Sequence, residues 1–347
     1  MQPLVSILIP GFNAERWIKQ TLESAINQDY RRKEIIFVDD GSTDRTLDIV
    51  KTFESRFVRV ISQKNAGGPA ARNTALSHAQ GEFIQWLDAD DLLAPDKISN
   101  QIKYWQELRN DRILFSCPFE TFYYRWTKAR LFESRLYGNL TPTDYFSIKF
   151  SDDAFFQPAC WLVSRRISEL AGPWWELRSP DDDGEYFCRT VVASQEIQFV
   201  PEARCYWRVG NGRSISGAWR RSQASSQALQ SGLRAMFQYI TRCIEHFRGL
   251  EDSARSRAAC IAFLQNRLIY FYLDSPEIVE EMNALAEELG GTLSPPPLSW
   301  KYRYIRAAFG WPAAKRCMFA LPDIKHQFER GWDKLMFEAR SDVASSH

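Results

Sequence analysis

The sequence lacks the patterns that mark several classes of protein. Its 347 residues include only four histidines, and its seven cysteines are scattered without a Cys-x-x-Cys pair. The ligand spacing typical of zinc sites is therefore absent, and we expect reduced thiols in a cytoplasmic protein. No apolar run approaches the ~20 residues that span a bilayer, and the first one is too short for a secretory signal.

An excess of charge of one sign is also missing. The chain has 44 basic and 43 acidic side chains, which gives a formal net charge of +1. Binding to nucleic acid needs a clear basic excess, so the composition predicts that nucleic acid is not a partner. Hydrophobic residues, in contrast, make up 45% of the chain, and aromatic residues 14%. This content predicts a sizeable core, and the length leaves room for two domains.

The first hundred residues alternate between short apolar runs and segments with helical spacing. The runs are typical of buried strands and cover Val5–Ile9, Glu34–Val38, Val58–Ile61 and Phe83–Leu87. Asn13 is expected to cap the first intervening helix, and Ser42 or Thr43 the second. The alternation predicts an α/β fold with a mixed, mostly parallel sheet flanked by helices.

The pattern changes along the rest of the chain. Further strands are predicted at Trp161–Ser164, Ile197–Val200 and Arg204–Val209. Helical spacing begins after about residue 222, and a helix over Glu277–Leu289 should end at the following glycines. We therefore predict an α/β domain over residues 1–220, with a first half at about 1–110 and a second half at about 111–220. A helical region with an aromatic and basic tail follows over residues 221–347.

Polar clusters follow each of the first four predicted strands, where ligands of open α/β sheets bind. The clusters are residues 10–13, 39–44, 65–73 and 88–91. Neither a Gly-x-Gly-x-x-Gly fingerprint nor a Walker loop is present, which disfavours a nicotinamide oxidoreductase. Asp88 and Asp90 are one residue apart, and such a pair can bind Mg²⁺ or Mn²⁺ together with diphosphate oxygens. Acidic residues in such places also serve simply as turn formers and helix caps.

The four clusters together resemble the inverting nucleotide-sugar glycosyltransferases of family 2, which have the GT-A fold. The resemblance covers roughly residues 4–110 and extends more weakly to about residue 216. It implies metal-dependent transfer from a nucleoside-diphosphate sugar, with UDP-sugars favoured, to a glycan or lipid-linked acceptor. Synthesis of surface polysaccharides or glycoconjugates is the implied setting. A glycosyltransferase-like module that binds a nucleotide or glycan without catalysis is the alternative.

The resemblance also implies roles for individual residues. Pro10 and Phe12 would contact the base, and Asp40 would accept a hydrogen bond from its ring N–H. Arg72 would lie near the diphosphate or the base. Asp88 would reach the ribose or the sugar, while Asp90, with Asp88, binds the metal. The predicted nucleotide-sugar site comprises Pro10, Phe12, Asn13, Asp40, Gly68, Arg72, Asp88, Ala89 and Asp90.

An inverting transfer also needs a general base to take the proton of the acceptor hydroxyl. The stretch that matches the family is residues 179–189, where alignment on Arg189 makes Asp183 the base and Asp182 its acidic neighbour. Asp181 stays open as well, and the pair Asp152-Asp153 is the fallback. These carboxylates also suit a solvated helix N-terminus.

The sequence departs from the family pattern near the end of the predicted domain. Many relatives carry a His there, but residues 206–216 contain none, and Arg208 or Arg213 are candidates to neutralise phosphate instead. On the acceptor side, Trp161, Trp174 and Trp175 either stack on a sugar or pack in the core.

The tail after residue 300 is rich in aromatic and basic residues, with Trp300, Tyr302 and Tyr304 among Lys301, Arg303 and Arg306. This composition suits peripheral contact with an anionic membrane surface, which here would be the inner face of the membrane. A helix packed on the catalytic domain with a solvated basic face is the alternative.

Overall fold

The computed structural model describes residues 2–176, 182–210 and 226–344 of the chain. The strands are β1 (Val5–Gly11), β2 (Lys33–Asp39), β3 (Val58–Ser62), β4 (Phe83–Trp86), β5 (Leu92–Leu93), β6 (Ile113–Ser116), β7 (Phe119–Phe122), β8 (Arg130–Leu131), β9 (Val163–Ser164), β10 (Glu196–Phe199) and β11 (Cys205–Arg208). The helices of the first part are α1 (Ile18–Ile26), α2 (Thr46–Lys51), α3 (Gly68–His78), α4 (Lys97–Leu108), α5 (Pro142–Asp152), α6 (Arg165–Ala171) and α7 (Asp182–Ala193).

The central sheet has the strand order β3-β2-β1-β4-β9, and only β9 runs antiparallel to its neighbour. The predicted α/β fold with a mixed, mostly parallel sheet is confirmed. The chain moves outward from β1 through β2 to β3 and then returns to β4 on the other side of β1. The carboxyl ends of β1 and β4 therefore flank the point where the strand order reverses, which is where such sheets bind ligands.

Two smaller sheets complete the α/β part. Strands β6 and β10 are parallel, and a bridge between Phe115 and Leu162 joins them to the segment just before β9. The second sheet has the order β5-β11-β7-β8, and its strand β5 begins at Leu92, directly after the acidic cluster of residues 88–91. The predicted strands near residues 161–164, 197–200 and 204–209 correspond to β9, β10 and β11.

The predicted helix caps are wrong. The first helix begins at Ile18 after Trp17, and the second begins at Thr46 after Arg45, with no side-chain cap hydrogen bond at either N-terminus. Asn13 lies four residues before the cap position of α1 and has a positive φ of 51°. Its side chain serves the neighbouring loop instead, as the site geometry shows.

Four helices form the C-terminal region, namely α8 (Ser226–Leu250), α9 (Ala254–Phe271), α10 (Pro276–Glu288) and α11 (Trp300–Ala344). This region shares one continuous set of buried side chains with the α/β part. At the boundary, Phe150 of α5 stacks on Phe263 of α9 with ring centroids 4.2 Å apart. The predicted domain boundary at residue 220 lies outside the described residues.

The last helix, α11, is interrupted at Gly310, whose φ of 79° is left-handed. Beyond this kink the helix returns to the α/β part, where Asp333 accepts hydrogen bonds from the backbone N–H groups of Tyr124 and Arg125 at 2.9 and 3.1 Å. The second half of α11 therefore packs on the α/β part. None of the helices within the described ranges combines the length and apolarity needed to cross a membrane.

Candidate active site

The loops after β1 and β2 are tied together by Asn13. Its side-chain oxygen accepts hydrogen bonds from the backbone N–H groups of Thr43 and Asp44 at 2.8 and 3.3 Å. Its own N–H donates to the Ser42 hydroxyl at 3.0 Å. The left-handed backbone of Asn13 turns its side chain toward this neighbouring loop, and Asn tolerates that conformation better than most residues. Two of the predicted polar clusters, residues 10–13 and 39–44, thus lie together. We refer to the edge formed by the loops at the carboxyl ends of β1 to β4 as the rim.

The residues just before Asn13, from Pro10 to Phe12, form a surface on which a ligand could lie. A Cβ on Gly11 would lie 2.4 Å from the ring of Phe37, so the strand end requires glycine. The next residue, Phe12, is 50% exposed and lies outside the core. Pro10 is partly exposed beside it. An exposed aromatic ring at this strand end has the placement expected of a residue that stacks on a base.

Asp40 holds the loop that leads from β3 into α3. One of its buried carboxylate oxygens accepts hydrogen bonds from Gln63 Nε2 at 2.8 Å and the Ala66 N–H at 2.9 Å. The other accepts the N–H of Gly67 at 2.8 Å, which fixes the start of α3 at Gly68. An ionised carboxylate has about four acceptor sites, so Asp40 keeps acceptor capacity for a ligand N–H.

Asp39 was assigned no role from the sequence. It is buried, and its Oδ1 has no hydrogen-bond partner among the described residues. Its other oxygen accepts the N–H of Ser42 at 3.2 Å. A buried carboxylate with one unsatisfied oxygen is costly, so this position is a further candidate acceptor at the rim. Only the acidic pair itself could have drawn attention to it in the sequence.

The first turns of α3 connect this loop to the acidic turn after β4. Arg72, on α3, donates from Nη2 to Asp88 Oδ1 at 2.9 Å. Its guanidinium also lies over the ring of Trp174, 4.5 Å from the centroid. Trp174 in turn stacks on Tyr186 of α7 at 4.1 Å and packs edge-on against Trp86 of β4. The loops after β3 and β4 and the helix α7 therefore meet at one place.

The turn of Asp88, Ala89, Asp90 and Asp91 concentrates negative charge. The Ala89 carbonyl accepts a hydrogen bond from Thr21 Oγ1 at 3.1 Å, and the Asp91 N–H donates to the Asp88 carbonyl at 3.1 Å. Burial raises the pKa of Asp91 well above 3.8, and the charges of Asp90 and Asp88 raise it further. Asp88 and Asp90 are both partly exposed. Two accessible carboxylates in a field of this sign fit a hard divalent cation.

Arg208 on β11 holds the turn of residues 88–91 through hydrogen bonds. Its Nε donates to the Asp90 carbonyl at 2.8 Å, and its backbone N–H donates to Asp91 Oδ1 at 2.8 Å. The guanidinium lies 3.9 Å from the ring centroid of Trp17, and burial lowers the pKa of Arg208 to about 10. The side chain is buried and engaged by protein groups. The idea that Arg208 replaces the missing His as a phosphate ligand is therefore disfavoured, and Arg213 lies outside the described residues.

The predicted general base lies on the first turn of α7. Asp183 is partly exposed, and its Oδ1 accepts the N–H of Gly184 at 3.0 Å. Tyr186 is three residues further along the same helix, so the two side chains share a face. Tyr186 stacks on Trp174, and Trp174 lies against the guanidinium of Arg72, so α7 reaches the Arg72–Asp88 pair through Tyr186. Helix α7 begins at Asp182, and Asp181 lies outside the described residues.

The sequence assigned no role to Glu185, which the structure buries in the same helix. The guanidinium of Arg189 donates two hydrogen bonds of 2.8 Å to the Glu185 carboxylate, and His246 Nε2 of α8 lies 3.5 Å from Glu185 Oε1. Burial would raise the pKa of Glu185, but the nearby His246 and the hydrogen bonds from Arg189 lower it below 4.5. Arg189 also donates to the Ala171 carbonyl at the end of α6, and this contact anchors α7, whose first turn carries Asp183.

The pair considered as a fallback for the general base lies at the end of α5. Asp152 and Asp153 end α5, where they form ion pairs with Arg135 at 2.8 Å and Arg267 at 2.7 Å. Of the three tryptophans considered for sugar stacking, Trp161 and Trp174 are buried in the core, which decides for packing. Trp175 is partly buried beneath the guanidinium of Arg242.

A cluster of thiols also escaped the sequence reasoning. Cys117, Cys160 and Cys205 are all buried, and their sulfur atoms lie within 4.8 Å of one another. The fully buried Lys97 donates to the Trp161 carbonyl at 3.2 Å, and burial lowers its pKa while the Cys117 charge opposes that shift. Spacing rules cannot find this cluster because distant segments bring its members together. It belongs to the core and not to the strand-end site.

Comparison with known proteins finds similarity to glycosyltransferases. The model of "Glycosyl transferase family 2" matches residues 6–170. Poly(ribitol-phosphate) beta-N-acetylglucosaminyltransferase TarS from Staphylococcus aureus (strain Mu50 / ATCC 700699) is 30% identical over 222 residues, which are 56% of this chain and 39% of TarS. The Escherichia coli UDP-Glc:alpha-D-GlcNAc-diphosphoundecaprenol beta-1,3-glucosyltransferase WfaP is 42% identical over 114 residues, 33% of this chain and 44% of WfaP. The chain thus spans about two fifths of the length of these curated relatives.

Solved structures agree on the GT-A fold. The crystal structure of S. aureus TarS 1-349 in complex with UDP-GlcNAc superposes with a TM-score of 0.57 at 18% identity, covering 83% of this chain and 92% of that one. The mannosyltransferase PcManGT from Pyrobaculum calidifontis, in complex with GDP-Man and Mn²⁺, gives a TM-score of 0.51 at 19% identity, covering 92% and 88%.

Proposed function

The chain belongs to glycosyl transferase family 2 through residues 6–170, and on that premise we propose a metal-dependent, inverting glycosyltransferase. It moves a sugar from a nucleoside diphosphate, preferably UDP, to a glycan or lipid-linked acceptor in surface polysaccharide or glycoconjugate synthesis. The observation that carries the proposal is the contact of Arg72 with Asp88 and Trp174, which joins α3, the acidic turn and α7. WfaP and TarS, whose names specify a diphosphoundecaprenol acceptor and a polyol-phosphate acceptor, support this acceptor class.

The donor occupies the rim at the ends of β1, β2 and β4 in this proposal. The ring of Phe12 stacks on the base, and Asp40, with its fixed carboxylate, accepts the ring N–H. Pro10 lies beside the base, and Asn13 keeps the two loops in register. The N-terminus of α3 at Gly68 faces the same rim, where the positive end of the helix dipole favours negative charge.

Asp88 and Asp90 are the residues that hold Mg²⁺ or Mn²⁺. A bound divalent cation supplies charge neutralisation for the departing diphosphate. Arg208 keeps the turn in place through the Asp90 carbonyl, and Arg72 orients Asp88. The complex of PcManGT with GDP-Man and Mn²⁺ supports the choice of metal class.

Asp183 acts as the general base. Its carboxylate accepts the proton of the acceptor hydroxyl as that oxygen bonds to the anomeric carbon. The bond from this carbon to the diphosphate oxygen breaks on the opposite face, which inverts the configuration and releases the nucleoside diphosphate. A positioned base of this kind contributes about 10²–10⁴-fold to the rate. Arg189, which donates to the Ala171 carbonyl of α6, fixes the helix that presents it.

The decisive experiment measures release of nucleoside diphosphate from a panel of UDP-, GDP- and dTDP-sugars with Mn²⁺, with Mg²⁺ and with chelator. We expect release from one nucleotide class, dependent on the metal and abolished by Asp90→Asn. The matched control is Asp96→Asn, an exposed acidic residue six positions along the chain. Full activity of Asp90→Asn would refute the metal assignment. Donor binding in a thermal-shift assay, without release from any sugar, would favour the non-catalytic module.

A further inference from the structure

The first part of α11 presents aromatic rings to solvent. This segment, Trp300–Phe309, ends at the Gly310 kink, and we refer to it as the basic arm. Trp300, Tyr304 and Phe309 are 67%, 72% and 76% exposed. The first two are one helical turn apart, with ring centroids 6.2 Å from each other. Large aromatic side chains that are this exposed need a partner or an interface.

Contacts within the basic arm and just beyond its end attach it to the rest of the protein. Tyr302 is buried between the exposed residues. Beyond the kink, Trp311 packs on Tyr272 at 4.9 Å. Lys315 pairs with Asp274 at 2.7 Å and donates to the carbonyls of Tyr270 and Tyr272, which end α9. The exposed aromatic rings therefore project from a fixed base.

The charge of this region has one sign. From Leu289 to Pro322 the sequence contains no acidic residue, whereas the whole chain is balanced at +1. Lys301, Arg303 and Arg306 of the arm are all exposed. Their charges alternate along the sequence with the aromatic residues, so both kinds of side chain occupy the same short helix. Basic residues beside interfacial Trp and Tyr are the chemistry that binds anionic lipid headgroups.

We infer that the basic arm lies on an anionic bilayer surface, with Trp300 and Tyr304, which share one face of the helix, at headgroup depth and the basic side chains on the phosphates. A second copy of the chain is a poorer occupant. A symmetric contact would place the two basic arms against each other, and like charges across an interface are unfavourable. The inference rests on the arm alone and extends the proposed function, because lipid-linked acceptors are found at that surface.

The test is co-sedimentation of the full chain with vesicles, without donor or metal. We expect binding to vesicles of equal parts phosphatidylglycerol and phosphatidylcholine, little binding to pure phosphatidylcholine, and weakening by salt. The variant Lys301→Gln/Arg303→Gln/Arg306→Gln should bind on the order of 100-fold more weakly. The variant Trp300→Ala/Tyr304→Ala should also lose binding.

Matched controls separate this surface from the rest of the chain. Arg31→Gln/Arg56→Gln/Arg59→Gln removes the same charge from exposed residues of the α/β part and should bind as wild type. Trp332→Ala removes an exposed Trp beyond the kink and should also bind. The inference would be overturned if the two charge variants lost vesicle binding equally. It would also be overturned if Trp332→Ala lost binding while Trp300→Ala/Tyr304→Ala kept it. A dimer in light scattering that Trp300→Ala/Tyr304→Ala converts to monomer, without any vesicle binding, would overturn it as well. Release of nucleoside diphosphate in solution should be the same in all these variants, so the outcome is independent of catalysis.

Discussion

The guanidinium of Arg72 donates to Asp88 at 2.9 Å across the rim of the sheet. Arg72 is nearly buried, whereas the side chain of Asp88 keeps a third of its surface exposed. The buried member therefore fixes the accessible one, and Trp174 fixes the guanidinium from its other side. This arrangement orients one carboxylate oxygen and leaves the other for a ligand.

We expect Arg72→Lys to lower kcat/KM for the donor at least about tenfold. Lysine keeps the charge but lacks the planar fork and the stacking surface that Arg uses on Trp174. The same variant should lose about 2 kcal/mol of unfolding free energy, because a mostly buried ion pair and a cation–π contact are disturbed. Kinetics with the preferred donor and urea unfolding measure the two effects. Arg59→Lys, on the exposed side of β3, is the control. A wild-type kcat/KM in Arg72→Lys would contradict this role.

Phe12 gives a test of base binding with little structural cost. Because its ring is 50% exposed, Phe12→Ala should change stability by less than about 0.5 kcal/mol. Loss of stacking should raise the Kd for the nucleoside diphosphate roughly 5- to 100-fold. Calorimetric titration measures the Kd, and Phe12→Tyr should restore it. Phe57→Ala, a partly exposed phenylalanine elsewhere, should bind normally. An unchanged Kd in Phe12→Ala would place the base elsewhere.

Asp183 is tested against its neighbour. Asp183→Asn should reduce transfer by about 10²–10⁴-fold and leave the Kd of the donor unchanged, because the proton acceptor is lost but the rim is intact. Asp182→Asn should keep most of the activity. Asp152→Asn, whose carboxylate pairs with Arg135, is the control for the fallback site. If Asp182→Asn alone stops transfer, the base is the other carboxylate.

The sequence was sufficient for the first four strands and for the rim at their ends. Each of these strands is a continuous apolar run, and parallel strands place their carboxyl ends together without further information. Strands β6 and β7 were missed because Cys117-Pro118 separates two four-residue runs that are short for a confident strand. Asp183, the proposed base, lies on a helix that contacts the site through the stacking of Tyr186 on Trp174, and no local pattern encodes that contact.

Local rules failed where a side chain serves a different segment. Asn13 has the chemistry of a helix cap, but its amide oxygen accepts from Thr43 and Asp44 across the rim. Similarly, the thiol of Cys205 lies 3.6 Å from that of Cys160 across 45 residues of sequence. Both contacts arise from tertiary packing, which overrides local preference.

One long-range contact between α11 and the α/β part can be probed by pH. Asp333 of α11 accepts two backbone N–H groups and pairs with Arg125 Nε at 2.6 Å. Burial would raise the pKa of Asp333, but hydrogen bonds from Tyr124 and Arg125 and the charge of Arg125 lower it below 3.8. A carboxyl group whose pKa is lower in the folded state stabilises that state when ionised. Its contribution is complete above the unfolded value and is lost as the pH falls through the folded one.

We therefore expect Asp333→Asn to destabilise the protein by about 1–3 kcal/mol near neutral pH. The difference from wild type should shrink below about pH 4, where the native Asp333 also becomes protonated. Urea unfolding followed by tryptophan fluorescence across this pH range measures the difference directly. Glu338→Gln provides the control, because Glu338 is half exposed, lies 4.0 Å from Arg16 and should contribute less than about 0.5 kcal/mol. A difference that persists unchanged in acid would show that Asp333 acts through packing and not through its charge.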